Sequence, residues 1–463
     1  MRIMRIPTLA LCLAGLFAAV APVGAQAAWT SGWIGAYRDT ANRLMKTATA
    51  DDFAWQRLAE LTDTYGNRLS GSENLNRAIA WAVETMKKDG LENVHTEKVM
   101  VTRWIRGRES AEIVDPARHA LAVLGLGGTI ATPPGGVEAE VLVVDSFSDL
   151  RTRAADAKGR IVLFNQPFTN YADTVSYRTG SARAAAQAGA LAVLVRSVGS
   201  TGLRTPHTGS VQYQPDVPSI PAAAISAEDA NRIARLSTGG RRVRVRLSLE
   251  GRTEGEVESA NVVAEIRGRE RPDEVVLVGG HLDSWDVGSG ASDDGVGCIA
   301  TWEALRLMKK LGLQPRRTVR LVLWTNEENG TRGAAAYAER YASTASSHVF
   351  ALEADSGVFD PARFGFSGGL AARGVVRDIL SLMAPLNLSD LISGGGGADI
   401  DPIAQAGRVP TMAYMGDPGR YFTIHHTAAD TVERITSEEV SRAAAAISVM
   451  TYVIAEMPER LPR

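Results

Sequence analysis

Cysteine is nearly absent: the 463-residue chain has two, Cys12 and Cys298. Cys12 falls in an N-terminal segment with the marks of a cleaved leader, so the mature chain keeps one thiol and can form no internal disulfide. Stability must then come from core size or bound metal. Cys298 sits in the apolar run "VGCIATWEAL", where a small buried side chain is expected rather than a nucleophile. Charge excess is missing too. Lys and Arg number 50 against 52 Asp and Glu, a formal net charge of -2, with both signs mixed along the chain. That balance argues against nucleic acid or a polybasic membrane contact as partner. Apolar runs long enough to cross a bilayer are absent after the N-terminus.

The N-terminus is different. Arg2 and Arg5 precede an apolar stretch from Thr8 to Val23, and Ala25-Gln26-Ala27 offers small residues at the cleavage spacing. This reads as a secretory signal peptide over residues 1–27, and predicts a secreted or periplasmic protein with no membrane span after cleavage. A membrane anchor would need about 20 apolar residues, and this run ends earlier in Pro22 and Gly24.

The length exceeds one ordinary domain, and the texture changes twice. Residues 28–110 read as helix, loop, helix and strand, through "DDFAWQRLAELTDTYG", "NLNRAIAWAVETMKKDG" and "NVHTEKVMV", with Gly90 closing the second helix. Residues 111–250 are rich in short β-type runs broken by Gly and Pro, with one Ala-rich helix at "GSARAAAQAGA". A compact inserted β-rich module is expected there. From 251 to 463 apolar strands such as "DEVVLVGGHLD", "RTVRLVLWTNEE", "SSHVFALEAD" and "VPTMAYMGD" alternate with helical segments. Alternation of this kind predicts an α/β fold, a mostly parallel mixed sheet flanked by helices, with any ligand at the carboxyl ends of its strands.

Acids collect at those ends. "GGHLDSWDVGSGASDDGVG", residues 279–297, carries one His and four Asp without a Lys or Arg. Glu327-Glu328 follows the next strand, Asp355 ends another, and His425-His426 follows the turn-rich "MGDPGRYFTI". Singly, each is ordinary: Asp after a strand is usually a cap, and a Glu pair usually a solvated face. Two histidines and several acids at successive sheet ends form the ligand set that suits zinc. The adjacent glutamates add a hint, since one can ligate a metal while its neighbour takes a proton from activated water.

These strings, with "VLWTNEENGTRGA", "EADSGVF" and "IHHTAADT", resemble the co-catalytic zinc exopeptidases of the aminopeptidase and glutamate carboxypeptidase family, most closely its carboxypeptidase Q branch. "YGNRLSGSENLNRAIAWAVETMKKDGLENV" resembles that family's opening, and residues 111–250 its inserted protease-associated domain. The resemblance implies two zinc ions bridged by Asp293, with His281 and Asp355 completing one site and Glu328 serving the other. It implies Glu327 as general base and Asp283 as the acid that orients the histidine. Asp294 falls beside the bridging residue, where a strained peptide is usual in the family. Both His425 and His426 are available as the last ligand; in the relatives that ligand stands four residues before an acid followed by Thr, so the resemblance favours His426, counted back from Asp430, with His425 as a hydrogen-bond donor to the tetrahedral oxyanion, and the reverse assignment stays open. Asp286 has no assigned role.

Fold and metal site do not choose the substrate. The loop "SGGGGADIDPI" carries Asp399 and Asp401 and has no base until Arg408, so the expectation is either an acidic pocket holding a free α-ammonium of a dipeptide or short peptide, or a flexible turn with no part in binding. The rival readings are a non-peptidase amidohydrolase, a glutaminyl cyclase with one zinc, and a binding protein with a dead metal site. The inserted module is expected either to shape the cleft or to support a homodimer.

Overall fold

A computed structural model describes residues 32–463 apart from residue 201. The expected signal segment lies outside the described residues. Two eight-stranded sheets organise the rest. The strands of the first are β1 (Glu92–Ile105), β2 (Arg252–Ile266), β3 (Arg271–His281), β4 (Arg317–Trp324), β5 (His348–Glu353), β6 (Arg363–Ser367), β7 (Leu391–Ser393) and β8 (Thr411–Met415). Their spatial order is β1-β2-β4-β3-β5-β8-β6-β7. The central four, β4, β3, β5 and β8, run parallel, whereas β1 and β2 pair antiparallel with their neighbours and β6 pairs antiparallel with β8 and parallel with β7. This is the expected mixed α/β sheet with a parallel centre.

The parallel strands are buried on both faces, which is why they read as near-continuous apolar runs, Val and Leu in β3 and β4 and Phe, Ala, Met and Tyr in β5 and β8. Helices Phe53–Tyr65, Glu73–Lys88, Val296–Lys310 and Ser437–Glu456 contribute the larger apolar cluster with Leu58, Trp81, Trp302 and Ile447. Helix Glu73–Lys88 starts at Ser72, whose hydroxyl accepts the Leu75 amide at 3.2 Å. Its buried positions, Leu75, Ala78, Ile79, Ala82 and Met86, follow the helical period. Thr436 and Glu439 form a reciprocal capping box on the last helix. A second cluster packs Trp324, Tyr337 and Ile403 together.

Residues 109–249 build the second sheet, which leaves the first between β1 and β2 and returns to it. It is rich in strand, as expected, and has a parallel core of Val137–Val144, Ile161–Phe164, Ala192–Arg196 and Ala222–Ile225. It also carries more helix than its sequence texture suggests: Phe147–Thr152, Ala154–Ala157 and Ala227–Thr238 join Tyr171–Gln187, of which the Ala-rich segment is the end. The two shortest, of six and four residues, escape a periodicity test because so short a helix has no repeat to read.

Candidate metal centre

Strand β3 ends in His281, and the chain then crosses loop 282–290 and an irregular turn, Ala291–Gly295, before entering helix Val296–Lys310. Arg68 fixes this path. It is fully buried and donates to the carbonyls of Leu282, Ser289, Gly290 and Gly66 at 2.7–2.9 Å. A guanidinium fan of this kind satisfies loop carbonyls that could reach neither water nor a sheet partner. Gly297 is required by close approach, because a Cβ there would collide with the Ala354 carbonyl and the Asp294 carboxylate.

The predicted residues converge. His281 Nε2 lies 3.3 Å from Asp293 Oδ1 and 3.5 Å from Asp355 Oδ1. On the other side of Asp293, His426 Nε2 lies 3.2 Å from Oδ2 and 3.1 Å from Glu328 Oε2. His425 Nε2 stands 3.5 Å from the same Oδ2, with its ring stacked on His426 at 3.6 Å. Candidate ligand atoms fall into two clusters, His281-Asp293-Asp355 and Asp293-His425-His426, within 4.8 Å inside each. Asp293 belongs to both. Its Oδ2 is buried without a hydrogen-bond partner, so imidazole and carboxylate atoms surround a space that a hard-to-borderline cation fits.

Asp283 is placed otherwise than its expected role suggests. His281 Nδ1 meets the backbone carbonyl of Asp283 at 2.9 Å, and the Asp283 carboxylate is 3.9 Å from that nitrogen. The carboxylate instead accepts Ser70 Oγ at 3.0 Å and the amides of Glu327 and Glu328 at 3.1 and 3.4 Å. It therefore ties the end of β3 to the turn after β4. Asp294 accepts the amides of His281 and Gly297 at 3.0 and 3.2 Å, and the Asp293-Asp294 peptide is cis. Asp430 accepts the amides of Ser292 and Asp293 at 2.7 and 3.1 Å. Asp286, unassigned from sequence, pairs with Arg106 through two bonds of 2.8 and 2.5 Å.

Burial sets the electrostatics. It pushes Glu327 and Glu328 above the usual carboxylate range, reinforced by neighbouring acids. Burial also acts upward on Asp293, but the imidazoles of His281 and His426 beside it outweigh burial and hold the carboxyl well below that range. His425 is held well below the usual imidazole range by burial and by the adjacent His426. Burial works against the charged form of His426, whose carboxylate neighbours Glu328 and Asp293 nevertheless raise it.

A cavity of about 270 Å³ opens onto Asp293, Glu327, Glu328, Asp355 and His426. Tyr171 and Arg178, from helix Tyr171–Gln187 of the second sheet, form part of its wall. Sequence reading missed both, since the module holding them has few His or Glu that could mark a reactive site. The module also bonds directly to the site: Ser210 Oγ donates to the Glu328 carbonyl at 3.0 Å and Thr208 N to the His426 carbonyl at 2.9 Å. The expectation that the Gly-rich loop brings acids to the cleft fails. Asp399 is buried, its amide bonded to Glu353 at 3.2 Å, and Asp401 is exposed at the start of helix Asp401–Gly407; neither lines the cavity.

Comparison with known proteins agrees with this architecture. Residues 261–451 match the model of Peptidase family M28, and residues 131–233 match the PA domain. Human carboxypeptidase Q is 47% identical over 414 residues, covering 89% of this chain and 88% of its own. The chain belongs to peptidase family M28. Mouse carboxypeptidase Q is 46% identical to this M28 member over 430 residues, covering 92% and 91% of the two chains. The crystal structure of an M28 peptidase precursor from Shewanella amazonensis superposes with a TM-score of 0.89 at 32% identity, covering 93% of this chain and 99% of that one. A zinc aminopeptidase from Bacillus subtilis shares the fold, with a TM-score of 0.66 at 19% identity over 88% and 96% of the chains. The expected class, a zinc metallo-exopeptidase, agrees with these relatives. Among the described residues, no helix is long and apolar enough to cross a membrane.

Proposed function

We propose that this M28 peptidase is a secreted or periplasmic exopeptidase that uses two zinc ions to hydrolyse dipeptides or short peptides with a free terminus. The observation that carries the reading is the position of Asp293, with Oδ1 turned to His281 and Oδ2 to His426. One carboxylate shared in this way suits a pair of cations. His281 and Asp355 would hold one ion, and Glu328 and His426 the other. Zinc bound there would polarise the scissile carbonyl and acidify a water. Glu327, on the cavity wall, accepts that water's proton and delivers it to the leaving amine. Asp283 holds the Glu327 and Glu328 amides in register for this. His425 stands beside His426 as the donor to the oxyanion.

Zinc content and turnover test the reading together. The purified chain is expected to bind two zinc ions and to cleave unblocked dipeptides, with turnover lost on chelation and restored by zinc. Glu327→Gln is expected to keep both ions and lose about 10²–10⁴-fold in kcat. A Glu327→Gln protein with most of its activity, or a wild type that binds zinc at one site alone, would overturn it. Two ions also separate this reading from a glutaminyl cyclase, and cleavage of peptides separates it from an amidohydrolase acting on other amides.

A further inference from the structure

His426 is held in an unusual backbone conformation. Its φ is 60°, in the left-handed region that residues with a side chain seldom enter, and that persists where the surroundings enforce it. The enforcing contact comes from the inserted module. The Thr208 amide donates to the His426 carbonyl at 2.9 Å, and the Thr208 carbonyl lies 3.2 Å from His426 Nδ1. One residue thus brackets the histidine through both its main chain and its ring. With Nε2 turned to Asp293 and Glu328, where a cation would sit, the ring proton is on Nδ1 and the Thr208 carbonyl accepts it. Arg178 Nη1, 3.3 Å from Nδ1, is itself a donor and cannot take that proton.

Thr208 is in turn fixed from behind. It is fully buried, and its hydroxyl donates to the Gly125 carbonyl at 2.8 Å and accepts from Arg106 Nη2 at 3.3 Å. Arg106 Nη1 donates to the same carbonyl at 2.5 Å, and its guanidinium is anchored on Asp286, the acid of residues 279–297 left without a role in the metal chemistry. The next residues are secured too, with Gly127 N donating to the Gly209 carbonyl at 3.0 Å and Val211 N to the Gly127 carbonyl at 2.9 Å. From this arrangement we infer that Thr208 is a positioning residue for His426, an inference that rests on the metal-centre reading above. Its carbonyl sets the tautomer and direction of the ring, and its hydroxyl, with Arg106 and Asp286, sets the carbonyl. A ligand imidazole whose second nitrogen is bonded in this way is better aimed and more basic. The module therefore supports one metal position and not the other, because His281 Nδ1 is served by the Asp283 carbonyl from within the catalytic domain.

The test is calorimetric zinc titration of the metal-stripped full chain and of its Thr208→Val, Thr208→Ser and His426→Ala variants. Thr208→Val keeps the side-chain shape without the hydroxyl. It should weaken one ion about tenfold or more and leave the other within about twofold, and the weakened ion should be the one that His426→Ala loses. Thr208→Ser keeps the hydroxyl and should hold both ions within about twofold of wild type. Added to His426→Ala, Thr208→Val should change the remaining ion by less than about twofold, because its effect runs through the imidazole. Both ions weakened alike, unchanged affinities, an equal loss in Thr208→Ser, or the same loss in the His426→Ala background would overturn the assignment. If Thr208→Val fails to fold, Arg106→Lys carries the same expectation, since it keeps a charge for Asp286 and loses the fork that reaches Thr208. A wild type that binds a single ion defeats the two-ion reading alone: the positioning role then requires that Thr208→Val weaken that ion with His426 present and not with His426 replaced, and fails otherwise.

Discussion

Replacing Asp283 by Ala removes no group from the cavity wall, yet it should damage both stability and catalysis. The carboxylate is fully buried and accepts three donors: Ser70 Oγ at 3.0 Å, Glu327 N at 3.1 Å and Glu328 N at 3.4 Å. Two of these are well formed, and each buried donor left without a partner costs about 1–3 kcal/mol. Burial raises the Asp283 carboxyl above its ordinary range, so its removal also relieves some desolvation. The net loss is then about 2–4 kcal/mol. A chain of this length unfolds with an entropy of about 0.9 kcal/mol/K, which converts the loss to a Tm decrease of about 2–4 °C.

The assay is thermal unfolding in chelator, so that metal loss does not enter, followed by zinc content and kcat after reloading. Releasing the Glu327 and Glu328 amides allows the turn after β4 to shift, and a misplacement of about 1 Å costs roughly 100-fold in rate. Asp283→Asn keeps one carbonyl acceptor and should fall between wild type and Asp283→Ala. An Asp283→Ala protein with Tm within about 1 °C of wild type and kcat within about threefold would refute the reasoning.

Three further outcomes are expected. His348 is buried, its Nε2 facing Tyr337 Oη at 2.9 Å, and burial with help from Arg320 lowers its pKa to about 4. The folded state thus binds fewer protons than the unfolded one between that value and about 6.5. Its share of stability, about 3 kcal/mol at most, is complete above pH 6.5 and lost as pH falls through 4. His348→Gln should flatten denaturant midpoints across that window, and an unchanged slope would count against it. Gly297→Ala should reverse the usual helical gain: the Ala354 carbonyl and Asp294 block the new Cβ, so a loss of about 1–3 kcal/mol is expected by urea unfolding. His426→Ala should lower zinc stoichiometry, while His425→Ala keeps it and lowers kcat; calorimetric zinc titration showing the opposite pattern would exchange their roles.

How much was legible in the sequence depends on the range of the interaction. The parallel strands announce themselves because each is apolar on both faces, and the residues at their ends follow from strand polarity alone. That places His281, Glu327, Glu328 and Asp355 on one rim before any contact is known. Strands β6 and β7 do not announce themselves: "RFGFS" and "LIS" are short, and the second lies partly exposed at the sheet edge. The three arginines that complete the site were invisible for another reason. Arg68 meets Leu282 across 214 positions, Arg106 meets Asp286 across 180, and Arg178 meets His426 across 248. No local pattern encodes such pairs.

Those pairings also change what the acid-rich stretch implies. Residues 279–297 carry four Asp without a base among them, and a bound cation is the simplest partner for all four when the stretch is considered alone. In the fold, Asp286 is neutralised by Arg106. Asp283 and Asp294 are satisfied by hydroxyl and amide donors, each of which stabilises a buried carboxylate without a counter-charge. Only Asp293 keeps a buried oxygen with no donor, and that oxygen faces His425 and His426. The inference to metal therefore rests on one carboxylate rather than four. The other three hold the loop that aims it, so replacing any of them should alter metal affinity through geometry and not through lost ligand charge.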